Sequence, residues 1–339
     1  MFSNDPTAET RKKDHIEMAL RAQIASGEWS ERFYYEPMLS AHPQQGESTP
    51  IQFAGKMLQT PIWVSSMTGG TAMAFTINQN LARACRDFGM GMGLGSCRSL
   101  LFGNERLQDF DVRAIMGDEV PLFANLGIAQ VEQLMLKQEW WRITALIEKL
   151  QADGLIIHVN PMQEWLQPEG DQITIPPVET IAAALEQLST KIIVKEVGQG
   201  MGYHSLKALF QLPLEAIDFA AMGGTNFAKL ELMRSAEQHQ TTYEDLAYIG
   251  HNAYEMVEMT NAVLAELGEK VCCTQVIISG GVRHFLDGYY LMNKLHTHCV
   301  YAQASGFLRH AMGDYEDLYQ YVTSQVKGLA LARAFLKVR

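Results

Sequence analysis

A histidine, two carboxamides and a carboxylate fall within seven residues of this chain, as His158, Asn160, Gln163 and Glu164, and the acidic pair Glu169 and Asp171 follows close behind. Carboxylates and carboxamide oxygens are the ligands a hard cation accepts, while carboxamide and imidazole N–H groups donate to phosphate oxygens. This spacing therefore suits a phosphorylated ligand held together with a divalent ion. The plainer reading is a polar loop whose side chains cap a helix. The apolar run Gly154-Leu155-Ile156-Ile157 comes directly before the cluster. It reads as a buried parallel strand, and parallel α/β folds keep their chemistry at the carboxyl ends of such strands.

Seven further runs of the same kind recur along the chain. With the first they span 61–69, 91–96, 121–127, 154–160, 191–197, 216–223, 275–281 and 299–305, each closing on small or polar residues. Stretches with helical spacing lie between them, at 78–88, 129–152, 178–188 and 245–267. Alternation of this kind gives parallel βαβ units, and eight of them close into a (β/α)8 TIM barrel, an α/β fold. An open doubly wound sheet is the competitor. It would place a ligand at one switch point behind an early glycine fingerprint, whereas here polar and glycine signals mark nearly every strand end. The glycines at 89, 91, 93 and 95 do not form such a fingerprint and read as close packing around a strand. Residues 1–57 precede the first strand and are expected to pack on the barrel. Residues 58–339 form the barrel and a closing helix from 314, so the chain reads as one domain.

Over 339 residues the balance of 27 basic to 38 acidic side chains gives a net charge of −11. With no basic stretch beyond Arg11-Lys12-Lys13, nucleic acid is not an expected partner, while a small anion can still bind in a locally basic pocket. The start Met1 to Pro6 lacks the profile of a secretory leader, and no apolar run is long enough to span a bilayer, so no membrane association and a cytoplasmic location are expected. The five cysteines have no zinc-ligand spacing and read as reduced thiols; Cys272-Cys273 reads as packing rather than a redox pair.

Taken in order, a set of motifs resembles the type 2 isopentenyl diphosphate isomerases, which are FMN-dependent (β/α)8 enzymes. The set runs through Arg11-Lys12-Lys13-Asp14-His15-Ile16, Ser65-Ser66-Met67-Thr68-Gly69-Gly70, Gly95-Ser96-Cys97-Arg98 and Asn125-Leu126-Gly127 with Gln130. It continues through His158 to Asp171, Val194-Lys195-Glu196-Val197-Gly198, Gly223-Gly224-Thr225 with Glu231, and Ser279-Gly280-Gly281-Val282-Arg283. Singly, the glycine turns are common phosphate loops; the ordered set with the His158–Asp171 segment is specific and covers nearly the whole chain.

The resemblance implies a double-bond shift between isopentenyl and dimethylallyl diphosphate with no net redox change. Reduced flavin would exchange protons through N5, and NADPH would serve only to reduce it. It places the flavin phosphate on the turns of Gly280, Gly281 and Arg283 and on the backbone of Ala302 and Gln303. Lys195 would stand near the flavin N1 and C2 carbonyl, with Ser66, Met67, Thr68, Ser96, Asn125 and Thr225 around the ring and ribityl chain. For the diphosphate it implies Arg11, Lys12, Ser96, Arg98, Gln163 and His158, with His158, Asn160 and Gln163 as the catalytic residues, Asn160 and Gln163 orienting the substrate, and Glu164 holding Mg²⁺. Met67, Trp165 or Phe227 would line the pocket for the five-carbon unit, and barrels of this class associate as homo-oligomers.

The chain departs from the family at Cys97, usually glutamine, at Ala221-Met222 and His284-Phe285, and on the last strand, which reads His296-Thr297-His298-Cys299 and then Ala302-Gln303-Ala304 where glycines are usual. Two other readings stay open. One is a barrel that binds a prenyl or other phosphate without catalysis, or serves a partner protein. The other is an FMN oxidoreductase like the 2-hydroxy-acid oxidases, with Arg283 to bind a substrate carboxylate and His284 as the base.

Overall fold

Eight parallel strands close into a barrel in chain order: β1 (Ile62–Val64), β2 (Gly91–Gly93), β3 (Leu122–Gly127), β4 (Gly154–His158), β5 (Lys191–Lys195), β6 (Ala216–Asp218), β7 (Gln275–Ile278) and β8 (His298–Gln303). The computed structural model describes residues 7–25, 27–44, 50–235 and 241–339, so the start Met1 to Pro6 lies outside the described residues. The eight apolar runs each overlap one of these strands and continue into the loop that carries the polar groups. β3 is buried along its whole length, as a strand must be when helices cover one face and the barrel interior the other.

Period-2 alternation divides each strand between two cores. Trp63, Phe123, Ile156, Ile193, Ala216, Ile277 and Val300 point inward and pack together, joined from below by Phe53 and Leu58. Those two come from an antiparallel hairpin, Ile51–Phe53 with Lys56–Leu58, that plugs the amino-terminal end. Its turn, Ala54-Gly55, has φ of 50° and 81°, the left-handed pair that a two-residue hairpin needs. Gly91 is glycine because a Cβ there would lie 2.3 Å from the Trp63 ring, in keeping with close packing along this strand. The outward residues, among them Val64, Leu122, Leu155, Val194 and Ile217, pack with the helices.

Two residues beyond the apolar inner layer, the same inward face turns polar. Ile156 is followed by His158, Ile193 by Lys195, Ala216 by Asp218 and Ile277 by Ser279. The ladder sets His158 beside Lys195 and Lys195 beside Asp218. The sequence thus builds a dry plug below and a polar ring at the carboxyl-terminal mouth.

The stretch expected as one helix over 129–152 is two, Ile128–Leu136 and Trp141–Leu150, because Gln138 takes φ of 57° and turns the chain between them. The closing helix, Tyr315–Phe335, runs into a strand, Leu336–Val338, that pairs antiparallel with Phe33–Tyr35 and so ties the early segment to the end of the chain. Helix Ala8–Met18 buries none of its residues.

Candidate active site

His158 ends β4 at the mouth, half-buried, with Nδ1 2.8 Å from Asn125 Oδ1. Asn125, buried on β3, donates from Nδ2 to the Leu94 carbonyl at 2.9 Å, so its oxygen is the group that faces the ring. The imidazole therefore carries its proton on Nδ1 and leaves Nε2 with a lone pair. Burial, with the Lys195 charge next to it, pulls the ring down to about 3, so His158 is neutral at pH 7.

Past β4, Pro161 opens the short helix Pro161–Leu166 and Asn160 stands at its cap position. One turn of helix brings both Gln163 and Glu164 back over Asn160, whose Nδ2 donates to Gln163 Oε1 at 3.1 Å and Glu164 Oε1 at 2.9 Å. The Asp171 N–H donates to Glu164 Oε2 at 2.8 Å, and the Asp171 carboxylate accepts from Arg98 at 2.6 Å and Gln130 at 2.9 Å. Gln163 in turn donates to Glu231 at 3.2 Å, which is buried and paired with Arg234, itself bound to Glu169. This wall holds four carboxylates, Glu164, Glu169, Asp171 and Glu231, against the guanidiniums of Arg98 and Arg234. Asn160 Oδ1 is buried there without a hydrogen-bond partner among the described residues.

The opposite wall is a narrow cleft lined by Ser65, Ser66, Lys195, Ala221, Gly224, Thr225, Phe227, Gly280, Gly281 and the end of β8 from Ala302 to Ser305. The hydroxyls of Ser65 and Ser66 are buried there without a protein partner among the described residues. Gly280 and Gly281 take φ of 85° and 70°, and a Cβ on Gly280 would lie 2.0 Å from the Ala221 carbonyl oxygen. Such side-chain-free turns let backbone N–H groups approach a phosphate. Lys195 is buried, its Nζ donating to the Glu196 carbonyl at 2.8 Å. Burial lowers its pKa against the charges of Asp218 and Glu196. Unpartnered hydroxyls, a buried ammonium and a glycine cradle fit a flavin with its phosphate. The first wall fits a hard cation through Glu164 and Asn160 Oδ1, completed by ligand oxygens, since no cluster of three or more His, Cys, Asp or Glu able to hold a metal alone occurs among the described residues.

Other expected residues fall as follows. Ser96 and Thr225 are exposed at the mouth, and the Ser66–Thr68 loop is half-buried; it lies over the end of β2, where a Cβ on Gly95 would meet the Thr68 carbonyl oxygen at 2.4 Å. Gln303 is buried, donating to the Val282 carbonyl and accepting from Tyr321, and its own carbonyl accepts from the Ser65 N–H, so the backbone of Ala302 and Gln303 is largely engaged in the barrel ladder. Arg11 and Lys12 sit on an exposed helix and are not brought to the others. Arg283 is 76% exposed and turns to Asp287, as does His284, so the pair does not form an oxidase-like constellation at the mouth. Trp165 faces solvent, whereas Phe227 lines the cleft and Met67 packs against the main core. Cys97 points into the core and bonds the Gly95 carbonyl, so position 97 gives the mouth no polar group.

Three residues not singled out from sequence as site residues belong to this geometry: Asp171, which joins Arg98 to Glu164; Glu231, which holds Gln163; and Asp218 beside Lys195. Asp218 had a signal, since it follows inward Ala216 by two residues as Lys195 follows Ile193. A larger groove at the opposite end of the barrel, lined by Lys56, Gln59, Arg86, Tyr319 and Lys327, gathers none of this chemistry.

No protein-family model matches the chain. It is 34% identical to the isopentenyl-diphosphate delta-isomerase of Rickettsia felis over 284 residues, 82% of this chain and 79% of that protein. It is 33% identical to the enzyme of the same name from Rickettsia canadensis over 85% of this chain and 82% of the relative. Among solved structures it is similar to a mandelate oxidase variant with (S)-mandelic acid (TM-score 0.57, 14% identity, 91% of this chain and 87% of the other). It is also similar to a flavocytochrome b2 variant with sulfite bound (TM-score 0.59, 13% identity, 94% and 78%). At such identities the structural likeness establishes the fold, a (β/α)8 barrel. With that barrel, and with a third of its residues shared across four-fifths of its length, the chain belongs to the type 2 isopentenyl-diphosphate delta-isomerase family.

Proposed function

We propose that this isomerase interconverts isopentenyl and dimethylallyl diphosphate, with FMN in the cleft beside Lys195, Mg²⁺ held through Glu164, and NADPH serving only to reduce the flavin. The observation that carries the reading is the pairing of two unlike walls across one barrel mouth. A glycine-lined cleft with a buried lysine and unpartnered serine hydroxyls faces a wall with more carboxylates than guanidiniums. A diphosphate would be repelled from the second wall unless a divalent ion joined it there, which is the argument for Mg²⁺.

Within this reading Arg98 binds the diphosphate, Asn160 and Gln163 orient it, and Lys195 places positive charge near the flavin pyrimidine edge. Bound, reduced FMN supplies the proton exchange at the substrate carbon. In the free protein His158 is a neutral ring whose tautomer is set by Asn125, and it takes up a proton at Nε2 to donate to the bound diphosphate. Arg11 and Lys12 complete the charge only if helix Ala8–Met18 moves to the mouth. Residues 1–57 serve as an accessory segment to the single barrel domain 58–339, which the hairpin plug and the Phe33–Tyr35 pairing support. A cytoplasmic homo-oligomer without nucleic-acid partners completes the proposal. Unpaired cysteines, four of the five buried, support the reducing compartment, and the net charge of −11 argues against nucleic acid.

The test is a visible-spectrum titration with FMN, then reduction and incubation with isopentenyl diphosphate and Mg²⁺. Bound flavin and formation of dimethylallyl diphosphate are expected. Product without flavin, or flavin without product, would overturn the assignment of the two walls.

A further inference from the structure

Asp218 on β6 is buried at 1% exposure, beside Lys195 in the barrel ladder and in the same inward layer. No direct ion pair within 4.0 Å joins the two side chains. The carboxylate is instead held by the Ser279 hydroxyl, which donates to Asp218 Oδ1 and accepts the Ala220 N–H at 2.7 Å. Ala220 takes φ of 43°, a backbone region alanine rarely adopts, in presenting that N–H. A carboxylate buried above an apolar plug is costly for stability, and an apolar residue would pack there with less penalty.

The groups facing Lys195 are His158 on β4, Asp218 on β6 and Glu196 in its own loop. His158 is neutral. The Glu196 carboxylate is occupied with the loop, accepting N–H groups of Gly198, Gln199 and Gly200 at 2.6, 2.7 and 2.9 Å. Burial pulls Lys195 toward its uncharged form, and among the charges that push it back Asp218 comes first and Glu196 second. Asp218 is pushed up by burial and drawn down by Lys195, the Ser279 hydroxyl and the Ala220 N–H. Neighbours in the ladder, the two groups each favour the charged form of the other.

We propose that Asp218, fixed by Ser279, is a positioning residue that keeps Lys195 charged and directed into the cofactor cleft, and so sets how strongly the site favours reduced over oxidised flavin. This rests on the FMN reading above. The experiment compares wild type with Asp218→Asn, Ser279→Ala, Lys195→Arg and the double variant Asp218→Asn/Lys195→Arg. It reads FMN affinity, the flavin midpoint potential, and the reduced-flavin spectrum against pH.

Asp218→Asn is expected to bind oxidised FMN within about threefold of wild type but to lose about tenfold in preference for the reduced form, roughly 30 mV on the two-electron couple. Its reduced-flavin spectrum is expected to change to the N1-protonated form at a higher pH. Ser279→Ala, which frees the carboxylate without removing it, should move the potential in the same direction by less. It keeps the question open to test if the Asn variant does not fold. In the Lys195→Arg background, where the guanidinium stays charged at every working pH, the same Asp218→Asn change is expected to alter the preference less than twofold. An unchanged potential in Asp218→Asn, or an equal drop in the arginine background, would overturn the proposal while leaving FMN binding intact. Wild-type protein that binds no FMN would instead remove the reading on which it rests.

Discussion

The Arg98 guanidinium meets the Asp171 carboxylate at 2.6 Å, and the backbone N–H of that same Asp171 holds Glu164 at 2.8 Å. One residue thus spaces the candidate diphosphate cation from the candidate metal ligand. Arg98 is 55% exposed, so the pair itself is worth only about 1 kcal/mol. Asp171→Asn is expected to raise the KM for isopentenyl diphosphate about fivefold, the rate equivalent of ~1 kcal/mol, with kcat little changed. Steady-state kinetics at saturating Mg²⁺ checks this; a fall in kcat with constant KM would count against an orienting role.

Glu164 has one oxygen on Asn160 and one on the Asp171 N–H, and both keep lone pairs for a cation. Glu164→Gln should raise the Mg²⁺ concentration for half-maximal activity by at least about tenfold, as loss of a carboxylate ligand to the metal would. FMN titration should be unaffected. Wild-type Mg²⁺ dependence in the variant would remove Glu164 from the metal site.

His158 holds its proton on the Asn125 side, so to donate to a diphosphate oxygen Nε2 must gain a second proton. The free ring sits at about 3, and a bound anion raises it. Binding therefore takes up a proton between the free and the bound values, and affinity strengthens as pH falls through that window. Calorimetry of inorganic pyrophosphate with Mg²⁺ at pH 6, in two buffers of different ionisation enthalpy, should show uptake in wild type and none in His158→Gln. Zero uptake in wild type would mean that His158 does not donate to the diphosphate.

Gly280 combines φ of 85° with a Cβ position 2.0 Å from a backbone oxygen, so Gly280→Ala must shift the β7 turn. A cost of about 2 kcal/mol in unfolding free energy is expected, together with FMN binding at least about tenfold weaker. Denaturant melts and flavin titration read the two effects separately. Unchanged FMN affinity would show that this turn does not cradle the cofactor.

Arg113 is buried near the amino-terminal end, donating to the carbonyls of Gln151 and Gly117 at 2.8 Å and to Asp153 at 2.7 Å. Arg113→Leu should destabilise the protein by about 3 kcal/mol at pH 7 by leaving those acceptors unpaired. Burial works to raise Asp153, but Lys56, the Leu122 N–H and Arg113 outweigh it and hold the carboxyl low. A depressed folded value means this stabilisation is present above the unfolded value and lost as pH falls from about 4 downward. The gap between wild type and variant in urea melts should therefore narrow from pH 7 to pH 3.

The barrel was legible in the sequence because it rests on local facts. Eight apolar runs alternate with helical periods, and strand rise and side-chain alternation then fix which residues point inward. The grouping of Asn160, Gln163 and Glu164 was legible for the same reason: helical spacing alone brings Gln163 and Glu164 over Asn160. What the chain could not declare was pairing across strands. Asp171 meets Arg98 over 73 positions, Glu231 meets Gln163 over 68, and Asp218 comes beside Lys195 only through the ladder register. The tautomer of His158 depends on a carboxamide orientation set by Leu94, and its neutral state on burial and the neighbouring Lys195 charge. Likewise, the basic run of Arg11 and Lys12 names a charge but not its place, and the tertiary structure leaves it on an exposed helix. Periodicity sets the faces of the elements; contacts between residues far apart in sequence, and the burial they create, decide which groups are charged, which are paired and which stay open to a ligand.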